Sequence, residues 1–245
     1  MPSYQNHKLE QFQNKVVGKL SRCEKCAVSS LCLPSGLSRS ELIDLESMIS
    51  ASQIVDKNSQ LFSIGEKFNA LYIVHSGMFK TTSLDENGKE RILNFHLPGE
   101  IMGLDGIYDE TFQSTASALT MSSYCKISFN NFLEISEDYP VLQANLLKVM
   151  SRELYSCKKN HIDIGSKSKL ALFIKTISQR FKIRGYSEDE FFLPISQRDI
   201  ASYLGMAEET LSRIFKKLQK MEVVSFKKHI LTILDRDLLN ELAES

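Results

Sequence analysis

SQRDIASYLGMAEETLSRIFKKLQK, residues Ser196–Lys220, reads as two short helices joined at one glycine. Ser196 stands three residues ahead of Asp199, the spacing at which a hydroxyl and a carboxylate satisfy the free N–H groups of a first helical turn. Ile200, Ala201 and Leu204 follow at helical spacing, Gly205 supplies a turn that a Cβ would strain, and Glu208–Lys220 form a second amphipathic helix. Its inner stripe is Leu211, Ile214, Phe215 and Leu218. On the opposite side Glu209, Ser212, Arg213 and Lys216 fall at i, i+3, i+4 and i+7, so an acceptor, a hydroxyl and two cations share one face. Such a set suits a DNA major groove: Arg bonds bidentately to guanine, Glu accepts from cytosine N4, and Ser serves base or backbone. The pair is a candidate helix-turn-helix with Glu209, Ser212 and Arg213 as base readers; a solvated charged surface helix is the plainer alternative.

Charge distribution favours the first reading. The chain is formally neutral, yet Lys and Arg outnumber Asp and Glu 14 to 8 between Ser166 and Arg236, against 16 to 19 in the preceding 165 residues. A phosphate backbone needs a local cationic surface whatever the total charge, and Arg213, Lys216, Lys217, Lys220, Lys227 and Lys228 supply one. Beyond the second helix, VVSFKKHILTIL alternates around a polar break at Lys227–His229, the pattern of a small hairpin. A helix-turn-helix followed by such a hairpin is a winged helix, and Lys216, Lys217, Lys227 and Lys228 are its expected contacts to the DNA backbone.

Outward from this element, 245 residues suffice for two modest cores. Residues 1–22 are polar, with no apolar signal region, and no uncharged stretch is long enough to span a bilayer, so an intracellular, cytoplasmic protein is expected. Five cysteines in such a chain are read for metal or redox chemistry before disulfides. Cys23, Cys26 and Cys32 lie within ten residues, in SRCEKCAVSSLC. Three thiolates are one too few for a closed zinc site or an iron–sulfur cluster, so a distant cysteine, Cys125 or Cys157, must complete it. No histidine is spaced as a ligand with another, and no Ser/His/Asp or Cys/His grouping points to catalysis.

Ser38-Arg39-Ser40-Glu41 is a second capping box, opening a helix whose Leu42, Leu45 and Ile49 are expected inside. From Gln53 to Phe129 the apolar runs are short and rich in Val, Ile, Phe and Tyr, punctuated by Gly65, Gly77, Gly88 and Gly99 at intervals of 12, 11 and 11. That spacing predicts an all-β sandwich or jelly roll, with Asp85–Gly88 as its clearest hairpin turn. Val141 to about Asp163 reads as one long helix in which Leu147, Met150, Leu154, Cys157 and His161 form a mostly apolar seam. Dimer packing uses such a seam, and a palindromic DNA site demands a two-fold dimer; packing on the chain's own β domain is the competing use. Ser166–Lys169 reads as the hinge to a helix over Leu170 to about Arg184. The expected fold is α+β: an N-terminal segment with the cysteines (1–37), a β-roll sensor domain (38–139), a dimerisation helix (140–165) and a winged-helix DNA-binding domain (166–245).

In this order of parts the chain resembles the CRP/FNR family of bacterial transcription regulators, and within it the FNR branch of oxygen-responsive regulators. The likeness spans roughly Cys23 to Leu242, and its specific signals are the C-x-x-C-x5-C segment, the lone strand cysteine Cys125, and E-x-x-S-R at Glu209, Ser212 and Arg213. It implies that Cys23, Cys26, Cys32 and Cys125 hold a [4Fe–4S] cluster, that Cys157 is spare, and that a cluster-bearing homodimer binds palindromic double-stranded DNA to control anaerobic gene expression. It also implies that the Asp85–Lys89 turn faces RNA polymerase. His161, with Lys158 and Lys159 beside it, is expected to keep the cluster-free dimer marginal. PGEIMG at Pro98–Gly103 resembles the start of the family's phosphate-binding cassette, but where the cyclic-nucleotide branch has Arg-Ser this chain has Gln113-Ser114. Without that cation a buried cyclic phosphate is poorly compensated, so no cyclic nucleotide is expected. The spacing itself leaves a zinc- or thiol-based redox regulator on the same scaffold open. Two residues depart from the family: Ala207 where a Ser or Thr commonly caps the recognition helix, and Glu208 beside the base readers.

Overall fold

The computed structural model describes residues 23–86, 88–160 and 164–244, except the side chains of residues 51 and 156–160. His161 lies outside these, as do the side chains of Cys157, Lys158 and Lys159.

A 3₁₀ turn at Ser29–Leu31 leads into helix α1, Arg39–Met48. Its capping box is complete: Ser38 Oγ accepts from the Glu41 N–H and the Glu41 carboxylate accepts from the Ser38 N–H. Leu45 is buried, whereas Leu42 is only half-buried and Ile49 already begins a strand, because extended backbone at Ile49 ends the helix there. Eight strands follow, β1 (Ile49–Val55), β2 (Gln60–Phe62), β3 (Ala70–Ser76), β4 (Phe79–Leu84), β5 (Glu90–His96), β6 (Ile101–Met102), β7 (Thr115–Ala118) and β8 (Ser122–Ser128). They form two four-stranded antiparallel sheets, ordered β1-β8-β3-β6 and β2-β7-β4-β5. The evenly spaced glycines Gly65, Gly77, Gly88 and Gly99 all have positive φ, as turns between short strands require. Between the sheets lies an aromatic interior in which Phe62 stacks on Phe112, with Phe68 and Tyr72 against them.

Helix α2 (Phe129–Asp138) was not legible as a helix; Ser128 caps it by accepting from the Asn131 N–H. Helix α3 spans Pro140–Asn160, opening on a proline, whose missing N–H costs nothing in a first turn. One side of it, Leu142 with Leu146 and Val149, packs into the core of the roll. On the other side Leu147 and Leu154 are each 65% exposed and Met150 36%.

Helix α4 corrects the sequence expectation of a hinge at Ser166–Lys169: it begins at Ser166 and runs to Lys182. Serine and lysine tolerate helical backbone, Gly165 takes the cap position, and Ser168 is buried within the first turn. The winged-helix domain continues with β9 (Glu190–Phe192), α5 (Gln197–Leu204), α6 (Glu208–Lys220), β10 (Val224–Lys227), β11 (Ile230–Ile233) and α7 (Arg236–Glu244). The hairpin expected at Lys227–His229 is present, with Lys228 and His229 both at positive φ in its two-residue turn. It gains an outer strand, β9, giving the order β10-β11-β9.

The two domains share a core. Met78, Ile92, Phe95, Leu97 and Leu119 of the roll pack into the same apolar cluster as Leu170, Phe173, Ile200 and Phe215. Polar contacts reinforce the seam: Lys80 Nζ lies 3.2 Å from Asp199 Oδ1, and the Ile92 N–H donates to Ser202 Oγ at 3.1 Å. The Glu100 carboxylate accepts from Arg180 Nε at 3.1 Å and from Arg184 Nη2 at 2.7 Å. Burial alone would raise the pKa of Glu100, but Arg180 and Arg184 overcome it and hold the group down at about 2.

Candidate functional site

The cysteine segment is a run of tight turns: the Cys26 N–H donates to Cys23 O, Ser29 to Cys26 O, and Ser35 to Cys32 O. It is seated on the roll by Val28 and Leu33, both buried. Gly99 allows this approach, because at φ +88° its backbone comes so close that a Cβ would stand 3.2 Å from Leu31 Cβ and 3.5 Å from Val28 Cβ. Cys125 arrives from β8, paired with Ile73 of β3. The result is a cavity of about 360 Å³ whose walls include Cys23, Cys26, Cys32 and Cys125 together with Val28, Ile73 and His75. Among the described residues no three His, Cys, Asp or Glu side chains converge on the coordination sphere of one ion.

The thiols are close enough to feel one another. Burial first, then the Glu46 carboxylate that hydrogen-bonds it, then Cys125 and Cys26 push Cys23 up to about 12. Burial likewise raises Cys32, with Cys23, Cys26 and Cys125 adding to it. Four thiols around one cavity are the donor type a thiolate-bound metal centre uses, and a cation bound there would have to displace the protons that burial holds on Cys23 and Cys32.

Two residues that sequence reasoning did not single out hold the segment. Glu46 of α1 accepts the backbone N–H of Cys23 at 2.5 Å, and beside it Arg39 pairs with Glu24 at 3.5 Å. From α3, Asn145 Nδ2 donates to the carbonyls of Leu33 at 3.0 Å and Ser35 at 2.7 Å. No local pattern marks either residue, since each reaches its partner across the fold.

At the other end of the molecule, Ser196 Oγ caps α5 by accepting from the Asp199 N–H at 3.0 Å, though the reciprocal half of the box is not made. Gly205 closes the helix at φ +65°, and α6 follows. Leu211, Phe215 and Leu218 bury its inner face. On the outer face Glu209, Ser212, Arg213, Lys216 and Lys217 line one groove with Gln197, Glu208 and Lys220. Ala207 occupies the N-cap position without a side-chain hydrogen bond, leaving the first turn to Glu208 and Glu209, whose charge suits the positive end of the helix dipole. Lys227 and Lys228 are exposed at the hairpin turn.

A β-roll joined through a long helix to a winged helix with a basic outer face defines a class, the DNA-binding regulator with an N-terminal regulatory domain. The comparisons with known proteins make it specific. Residues 53–139 match the cyclic nucleotide-binding domain family and residues 168–242 the Crp-like helix-turn-helix domain. Electron transport regulator A of Shewanella oneidensis is 34% identical over 241 residues, covering 96% of both chains. The fumarate and nitrate reduction regulatory protein of Vibrio cholerae is 35% identical over 224 residues, 90% of each chain. The transcriptional activator protein Anr of Pseudomonas aeruginosa is 35% identical over 218 residues, 88% of this chain and 89% of that one. Among solved structures, FixK2 from Bradyrhizobium japonicum shares the fold with a TM-score of 0.70 at 22% identity, over 78% of this chain and 96% of its own. The chain belongs to the CRP/FNR family; it is a DNA-binding transcription regulator and not an enzyme. No helix among its described residues is long and apolar enough to cross a membrane.

Proposed function

We propose that this chain is a cytoplasmic, oxygen-responsive regulator of anaerobic gene expression, in which Cys23, Cys26, Cys32 and Cys125 hold a [4Fe–4S] cluster. The observation that carries this is the meeting of four cysteines, three from one loop and one from a distant strand, around a single cavity. One tetrahedral zinc with Zn–S bonds of about 2.3 Å draws its four sulfurs to within about 4 Å of one another. The four thiols line a cavity of about 360 Å³ together with thirteen other residues, which leaves room for a centre of several atoms. Similar proteins named anaerobic regulatory protein support the same reading.

When bound, the cluster supplies an oxygen-labile cross-link between the cysteine loop and β8. Cys23, Cys26 and Cys32 are then fixed against the roll, and the loop that follows them is fixed against α3. Leu147, Met150 and Leu154, left exposed by their own protomer, pack against the same face of a second copy. The dimer carries two α6 helices, each presenting Glu209, Ser212 and Arg213 to half of a palindromic site, with Lys216, Lys217, Lys227 and Lys228 on phosphates. Binding free energy of the cluster to the dimer-competent form is available to dimerisation by linkage. The Asp85–Lys89 turn between β4 and β5 faces RNA polymerase in this reading.

A cyclic nucleotide has no part in it. Gln113 stands in the sequence where the resemblance has an Arg for the phosphate, its amide donates to Thr111, and the interior of the roll holds the Phe62–Phe112 stack. The direct test is Cys125→Ser, purified anaerobically. It should lose iron and high-affinity DNA binding while keeping the fold, and iron content equal to wild type would exclude Cys125 as a ligand.

A further inference from the structure

We propose that Asn145 is the residue through which the cysteine segment acts on the dimerisation helix. The inference rests on the cluster and dimer reading above and adds the physical link between its two ends. Asn145 sits on α3 one turn beyond Leu142, which is fully buried, on the flank of the roll-facing side turned away from the exposed Leu147. Its amide is fully used. Both hydrogens of Nδ2 go to main-chain carbonyls, of Leu33 and Ser35, and Oδ1 accepts from Lys148 Nζ one turn further along the helix, at 3.5 Å.

Those carbonyls lie one and three residues after Cys32. The loop that carries them is closed on itself by Ser35 N–H to Cys32 O and Leu37 N–H to Pro34 O, so it moves as a unit with Cys32. The loop lies directly on α3, with Val141 Cγ2 only 3.6 Å from where a Cβ on Gly36 would stand. A displacement of Cys32 therefore reaches α3 through the Asn145 amide, at the helical turn from which the exposed seam begins. Glu46 holds the other end of the segment on α1, which directs any loosening of the cysteines toward the Asn145 end.

Two substitutions test this. Asn145→Asp keeps the shape and replaces the donor with a carboxylate facing two carbonyl oxygens, and Asn145→Ala removes the group. In metal-free protein, hydrogen exchange at residues 33–37 should quicken in both variants; unchanged exchange would overturn the tie itself. After anaerobic loading with iron and sulfide, sedimentation equilibrium should show wild-type association strengthened roughly tenfold or more, with both variants responding within about twofold of their metal-free state. Their iron content should equal that of wild type, which a general folding defect would not allow. Variants that load iron and dimerise on loading as wild type does would overturn the proposal, as would wild type that loads iron with no change in association. Wild type that takes up no iron would instead strike the cluster reading, with the exchange measurement still deciding whether the tie exists.

Discussion

Glu46 takes both the backbone N–H and the thiol of Cys23, and its substitutions separate the acceptor from the charge. A hydrogen bond to a charged group is worth about 1.5–3 kcal/mol, so Glu46→Ala should raise the opening of the loop roughly tenfold or more, whereas Glu46→Gln, which keeps an acceptor, should raise it less. Tryptic cleavage after the exposed Lys25 in metal-free protein reads this, and equal cleavage of the Ala variant and wild type would remove Glu46 from the account. On α6 the residues separate by role. Arg213→Ala should cost about 1–3 kcal/mol per half-site and relax the preference for guanine. Lys217→Ala should weaken all sequences alike and lower the salt slope by about one per half-site. A Lys217 effect confined to one base would reverse these roles. The outer face of α6 was legible because helical periodicity alone lines up Glu209, Ser212 and Arg213. Glu46 and Asn145 were not, because their partners lie 23 and more than 100 residues away in the chain.

Elements were legible where periodicity is long and capped. Helices α1, α5 and α6 begin where their capping serines or first-turn acids stand, and the turns between β2 and β6 follow the glycines. Short or polar elements were not: β9 has three residues and takes its identity from pairing with β11, and the first turn of α4 is written in serine and lysine that suit a linker equally well. The uncapped start of α6 gives a prediction. Ala207 already has the extended backbone of an N-cap, φ −67° and ψ 146°, so Ala207→Ser should stabilise the domain by about 1 kcal/mol, visible as a higher melting temperature. An unchanged melting temperature would mean that Glu208 and Glu209 already meet the need. Along α3, Leu154→Glu should block dimerisation without unfolding the roll, because that side chain makes no use of its own core. A folded variant that dimerises as wild type does would place the interface elsewhere. Gly88→Ala, at φ +74° in the β4–β5 turn, should lower transcription while leaving operator binding intact; loss of both would signify misfolding.

Across the whole molecule, the roll and the winged helix are joined by contacts that no local pattern announces. Order of domains and charge asymmetry were readable, but the grip of Glu100 on Arg180 and Arg184 depends on residues at least 80 positions apart. This join has a pH signature. Glu100 has a folded value near 2 against about 4.3 when unfolded, so the stability it contributes is complete above about pH 4.3 and is lost as pH falls toward 2. His96, buried and hydrogen-bonded to Thr81, is pushed down to about 4, first by burial and then by Arg180 against an opposing pull from Glu100. Its contribution is complete above about pH 6.5 and is lost as pH falls toward 4. Glu100→Gln leaves two largely buried cations against a neutral amide and should cost about 3–5 kcal/mol at neutral pH. The gap between variant and wild type in denaturant titrations should be constant down to about pH 5 and close below it. A gap independent of pH would show that Glu100 does not titrate as an ion in the join.

In the proposed function the cysteine cavity holds an iron–sulfur cluster that governs DNA binding. The most direct measurement is the visible absorption spectrum, with iron and acid-labile sulfide, of protein purified without oxygen, taken before and after admitting air alongside DNA affinity. About four irons and four sulfides per chain, and a brown colour that bleaches in air as DNA binding falls, is the predicted result. A colourless protein carrying zinc or no metal, with DNA affinity indifferent to air, would contradict it.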